Sequence, residues 1–375
     1  MTNKKFKLAA MSLATAVAVS AVGPSASAVT YYLSDGSVTV DQDGNGAFSY
    51  QNKTDGKTDN VYVDQDTQDN GQIIITQAEG TTTDNTVTVE ENVTNKNGER
   101  DVNIVVDGVN VDTSTTTDTP AEVPADADTK EDKTIIKVGE GADVDLTVRD
   151  SNLTTGGNGI DIGVNLKDED RNEGANVDLT LDNTKINLTE NATAGINARD
   201  NSDVDITLKG NNTIDGSEAI DKVTEDGEHD ISKDNVNVEG IRVGGEGASD
   251  SSDANEDAKT NLIISGGVEK TETEDADTEE TESPAGGSLT ISDTTGGLVM
   301  ADGSDVEITD GADVTIKDTK TSGATQAGRA VTQHGDLTIS GGSSLKIDDV
   351  EDNAKQASHT GIGIASWDEI TVGDQ

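Results

Sequence analysis

The chain has 375 residues, of which 31% are apolar and 2% aromatic, too few for the thick core of a conventional globular domain. Lysine and arginine number 26 against 74 aspartates and glutamates, and a formal charge of −48 repels phosphate backbones and anionic lipid heads, which argues against nucleic acid and membrane surfaces as partners. The absence of cysteine excludes a disulfide framework, a thiolate metal site, a thiol nucleophile and a lipid anchor on an N-terminal cysteine.

Residues 1–28 carry the pattern of a secretory signal peptide: Lys4, Lys5 and Lys7, an apolar run from Leu8 to Val22, Pro24, then Ala26-Ser27-Ala28 as a small-residue cleavage site. The run is shorter than the ~20 residues of a membrane span, so cleavage after Ala28 is expected, with no membrane insertion after it. An exported chain without cysteine fits a bacterial product, secreted or held at the cell surface.

Residues 29–79 read as an N-terminal β cap region. Tyr31, Tyr32, Phe48, Tyr50 and Tyr62 cluster there and are expected to close the end of an apolar core against edge pairing. Within this region DQDGNG, Asp41 to Gly46, matches the opening of a calcium loop, with oxygen ligands at Asp41, Asp43 and Asn45 before the glycine of the sharp turn. Position twelve would be Asn52 instead of a bidentate carboxylate, and strand-like SVTV and AFSY flank the loop, so a tight polar hairpin is the alternative.

Residues 80–375 contain an internal repeat of strand, turn residues and second short strand. The copies read VNIVVDGVNV from Val102, VDLTVRDSNL from Val144, VDLTLDNTKI from Val177 and VDITLKGNNTI from Val204, with looser versions from Val306 and Leu337. Alternation of period two turns Val144, Leu146 and Val148 one way and Asp145 and Thr147 the other. A Gly-Ile step follows at Gly159-Ile160, Gly195-Ile196, Gly240-Ile241 and Gly361-Ile362, as though each coil turned a third corner. This rhythm predicts an all-β chain folded as a parallel β-helix, a β-solenoid with acidic loop insertions. A sandwich or antiparallel barrel is the alternative, but stacked repeats explain how so polar a chain buries a continuous core.

Irregular repeat spacing requires insertions, expected to project from one corner. Thr113 to Lys133, Lys167 to Glu173, Lys222 to Lys233, Glu246 to Lys259 and Glu269 to Pro284 have the acidic, hydroxyl-rich composition of disordered loops. The chain stops at Asp374-Gln375 just after strand-like Glu369 to Val372, which suggests the N-terminal part of a longer protein.

The outward face of the repeat carries the candidate site. Asp145, Asp178 and Asp205 share one equivalent position and Thr147, Thr180 and Thr207 the next, so stacking in register would set like carboxylates ~4.8 Å apart. Calcium bridging them would suit an acidic polysaccharide or another acidic protein, with the threonines as a ligand-binding face; a solvated acidic face is the bland alternative. A second calcium signal, GGNGIDIGV from Gly156, resembles the nonapeptide of calcium-stacked β-rolls, yet it occurs once and reads equally as an ordinary solenoid corner.

The Val-x-Leu-Thr-Leu pattern followed by Gly-Ile, with GGSLTIS from Gly286 and DLTISGG from Asp336, resembles bacterial secreted carbohydrate-binding domains. The resemblance implies a right-handed, pectate-lyase-like but noncatalytic β-helix that binds polysaccharide, in some members with calcium. No Gly-His-Gly or Arg-Ile-Lys segment of the related polygalacturonases is present, and His229, His334 and His359 read as corner residues. Of six arginines, Arg149 is the least unsuited to lyase chemistry and reads more simply as a surface charge offsetting Asp145 and Asp150. The expectation is therefore a binding protein and not an enzyme, taking polysaccharide or cell-surface glycan or acting as an adhesin, with calcium as helper. An acidic structural stalk is the rival, and a polysaccharide lyase the third reading.

Overall fold

The computed structural model describes residues 29–42, 48–50, 72–94, 102–114, 133–166, 173–220, 237–245, 259–267, 286–320, 329–350, 362–366 and 370–373. Residues 1–28, read above as a signal peptide, Asp43, Asn45 and most of each acidic insertion lie outside them. Among the described residues no helix is long and apolar enough to cross a membrane.

Three parallel sheets of ten, seven and ten strands wrap one core, and the chain visits them in turn, so the architecture is a right-handed parallel β-helix. One full coil runs from Asp143–Arg149 in the first sheet through Asn152–Thr155 in the second to Ile160–Val164 in the third. The next repeats it with Asn176–Asp182, Lys185–Leu188 and Ala194–Ala198. The right-handed sense is the one in which a twisted strand packs back onto its parallel neighbour.

Alternation builds the core. In the first sheet Val144, Leu146 and Val148 stack on Val177, Leu179 and Leu181, then on Val204, Ile206 and Leu208, all essentially solvent-free. Each coil alone could bury nothing on its two open sides; stacking closes both. The corner between the first and second sheets needs a left-handed backbone, supplied by Gly108, Asp150, Asn183 and Gly210 with φ of 63°, 48°, 51° and 61°. Glycine, Asn and Asp tolerate that conformation, which explains the turn residues after each strand.

The Gly-Ile steps have a packing cause. Ile160, Ile196, Ile241, Leu298, Val331 and Ile364 form one file across the third sheet. A Cβ on Gly240 would lie 2.3 Å from Ile291 Cγ2 and 2.5 Å from the Gly297 carbonyl oxygen. The file corrects one expectation: Gly363-Ile364, not Gly361-Ile362, is the equivalent step, because the dipeptide recurs two residues apart and a period of two cannot separate the copies.

Two further expectations change. The insertions do not share a corner: residues 113–135 join the second sheet to the third, 244–259 the third to the first, and 267–287 the first to the second. The ladder also begins inside the expected cap region, where Val29–Tyr32 pairs in parallel with Gln72–Thr76 and Leu33, Val38 and Val40 join the core. A 3-10 turn, Leu33–Asp35, stands there in place of a second-sheet strand. Phe48–Tyr50 pairs antiparallel with Val38–Gln42 at the edge of the third sheet, and Tyr31 packs against the core while Tyr32 is exposed.

The outer faces differ. Ile160–Val164, Ala194–Ala198 and Glu239–Val243 of the third sheet are buried at every position. Several polar groups there pair with one another: the Asp161 carboxylate accepts from Asn197 Nδ2 at 2.8 Å and from Arg199 Nε and Nη2 at 2.9 Å, and Arg242 Nε donates to Glu239 at 2.6 Å. The first sheet keeps its outer face open, and that face carries the predicted site.

Candidate functional site

Strand register places the sequence-predicted residues together. Asp145, Asp178 and Asp205 are consecutive Cα partners across three parallel strands, and Thr147, Thr180 and Thr207 are partners two residues along. Both files belong to the first sheet and face outward, because Leu146, Leu179 and Ile206 between them point into the core.

The files extend beyond the residues expected. The carboxylate file continues to Asn103 on one side and to Ile263, then Glu307, on the other; the hydroxyl file continues to Ser265 and Thr309. Together with Asp310 these residues line a groove of about 590 Å³. Sequence reasoning missed Ile263, Ser265, Glu307 and Thr309 because insertions separate their strands from the three clear repeats. The signal was present: Leu262-Ile263-Ile264-Ser265 repeats the alternation of Val204-Asp205-Ile206-Thr207 with the carboxylate exchanged for isoleucine.

Hydroxyls tie the floor together. Thr207 Oγ1 and Ser265 Oγ lie 3.4 Å apart, and Ser340 Oγ contacts Glu307 Oε1 at 3.0 Å and Thr309 Oγ1 at 3.1 Å. The Asp205 carboxyl is pushed above the ordinary aspartate value, first by burial in the groove and then by the negative charges of Asp178 and Asp203.

The neighbouring file shows that like charge is not forced on this sheet. Asp107, Arg149, Asp182 and Lys209 are successive register partners and alternate in sign. Arg149 Nη2 donates to Asp107 Oδ2 at 2.7 Å, a contact that raises the arginine pKa, aided by Asp150 and Asp182. Asp107, in the preceding coil, is thus its hydrogen-bonded partner, whereas the sequence pointed to Asp145 and Asp150. Four residues away the same strands leave Asp145, Asp178 and Asp205 in a row without such alternation.

Carboxylate oxygens are the donors a calcium ion prefers, yet a closed site takes six to eight oxygens from converging groups. A file rising ~4.8 Å per coil offers a cation two carboxylates at a time. In agreement, among the described residues no three histidine, aspartate or glutamate side chains converge as a metal cage. The residues therefore fit a bridging cation that keeps most of its water. Asp41 lies in an antiparallel strand pair opposite Ser49, the hairpin alternative for its segment, while Asp43 and Asn45 are outside the described residues. In the glycine-rich segment from Gly156, Asp161 is engaged by Arg199, and Gly163 (φ 78°) sits at a register shift between Ile162 and Val164. That segment is built as an ordinary coil. Comparison with protein-family models, with curated proteins and with solved structures finds no match for this chain.

Proposed function

We propose that this protein is an exported β-helix, secreted or held at the bacterial cell surface, that binds polysaccharide in the groove on the outer face of its first sheet, with calcium as a bridging helper. One observation carries the reading: carboxylate and hydroxyl files run in register along one open groove, while the adjacent file of the same strands is neutralised by alternating charge. A solvated face has no need of such segregation. Hydroxyls and carboxylates side by side offer a sugar both donors and acceptors, and the resemblance to secreted carbohydrate-binding domains points the same way.

A glycan array probed with the full chain, with and without a chelator, tests this. Binding that Asp178→Asn with Asp205→Asn abolishes supports the groove; an array without binding in either condition favours the acidic stalk. The lyase reading is tested separately by looking for unsaturated products from pectin.

A further inference from the structure

The groove has an asymmetry that the two files do not account for. At the position where three coils carry aspartate the fourth carries Ile263, half-buried, with Asp205 as its register partner on one side and Glu307 on the other. It is the sole apolar side chain among the described lining residues. Leu262 and Ile264 beside it point into the core, so Ile263 presents its aliphatic surface to the groove. An apolar patch about one side chain wide, with an acceptor one coil away on either side and Ser265 beside it, matches one pyranose ring: an apolar face below, polar groups around the rim.

Charge decides which sugar. Among the described residues the lining includes five carboxylates, Asp145, Asp178, Asp205, Glu307 and Asp310, and no lysine, arginine or histidine. A neutral glycan brings no positive charge to this negative lining, and an acidic one would add to its charge. We infer that the groove selects a polysaccharide bearing free amino groups, with one ring on Ile263 and ammonium groups on the carboxylates of Asp205 and Glu307 and along the file. This rests on the polysaccharide-binding reading above, narrows its substrate class, and for such a ligand makes calcium a competitor in place of the bridging helper. In an extended β-1,4 chain successive sugars are turned by about half a turn, so amino groups recur on one side every second sugar, a repeat close to two coils at ~4.8 Å each, and ammonium groups can meet alternate carboxylates such as Asp205 and Glu307 on either side of Ile263. A basic peptide also supplies charge, but it lacks hydroxyls for the file from Thr147 to Thr309. Calcium and ammonium then compete for the same oxygens, and calcium weakens this ligand.

Titration calorimetry on the full chain tests the inference with four probes: a deacetylated glucosamine oligosaccharide, its N-acetylated counterpart, a lysine oligomer of matched charge, and an oligogalacturonate with calcium. The deacetylated oligomer should bind at least about tenfold more tightly than the acetylated one and than the lysine oligomer, and weaken as calcium is added. Ile263→Thr, checked for an unchanged thermal midpoint, should lose about tenfold, and Asp205→Asn with wild-type Ile263 should also weaken binding. Equal affinity for the acetylated oligomer, or for the lysine oligomer, overturns the inference. Binding confined to oligogalacturonate with calcium overturns it too but leaves the polysaccharide reading standing; failure of every carbohydrate removes both.

Discussion

Asp178 and Asp205 are Cα partners in adjacent parallel strands, with their carboxylates on the same open face of the first sheet. Beneath them Leu179 and Ile206 are fully buried partners, so the core fixes the register that holds two like charges together. The stack cannot slip by one residue to separate them without turning leucine outward and aspartate inward. Repulsion on this face is thus held in place by packing, and a ligand that relieves it is bound more strongly by the folded chain than by the unfolded one.

The raised Asp205 pKa gives a pH test. A carboxyl whose folded pKa lies above its unfolded one destabilises the fold when ionised; its relative contribution is most favourable below 3.8 and is lost as pH rises through the folded value. Asp205→Asn should therefore raise stability at neutral pH by under about 1 kcal/mol, the scale of exposed charge pairs. The gain should vanish below pH 3.8. Denaturant unfolding of both proteins across this range checks it; a gain independent of pH would separate the effect from ionisation.

The inside-outside assignment is tested at Leu146, 1% exposed between Asp145 and Thr147. Leu146→Asp puts an unpaired charge in the core and should cost several kcal/mol. Asp145→Leu on the outer face should leave the fold intact. Circular dichroism melts distinguish the two, and equal melting would contradict the alternation.

Gly240→Ala tests the packing of the third sheet against the second. Its Cβ would press on Ile291 Cγ2 and on the Gly297 carbonyl, so at least one strand must shift, at about 1–3 kcal/mol. Ile291→Val in the same chain removes no Cγ2 and should change the cost of Gly240→Ala little, whereas in an Ile291→Ala background, itself destabilised, Gly240→Ala should cost less than in the wild type. A lowered thermal midpoint with this pattern locates the strain.

Much of this was legible in the residues. The strands from Val144, Val177 and Val204 have clean period-two alternation, and their Asp and Thr files fall into register as expected because only the repeat itself is needed to align them. What escaped the sequence depends on contacts between distant coils. Arg149 and its partner Asp107 are 42 residues apart, and nothing local links them. Ile263 sits in a strand isolated between two acidic insertions, where no adjacent copy fixes its register. Gly361 and Gly363 are indistinguishable until a neighbouring strand selects one. The corner from which an insertion leaves is likewise a property of the stack and not of the insertion's composition.

The most direct test of the account is whether the carboxylate file binds cations as a site or is merely solvated. The measurement is the thermal midpoint in millimolar calcium against sodium at matched ionic strength, since sodium screens repulsion without using site geometry. At a hundredfold excess over the dissociation constant a calcium site stabilises by about 2.7 kcal/mol. The account predicts a midpoint that rises in calcium beyond the sodium control and loses that rise when Asp145, Asp178 and Asp205 all become Asn. Equal shifts in calcium and sodium, or a calcium effect that survives the triple variant, would contradict it.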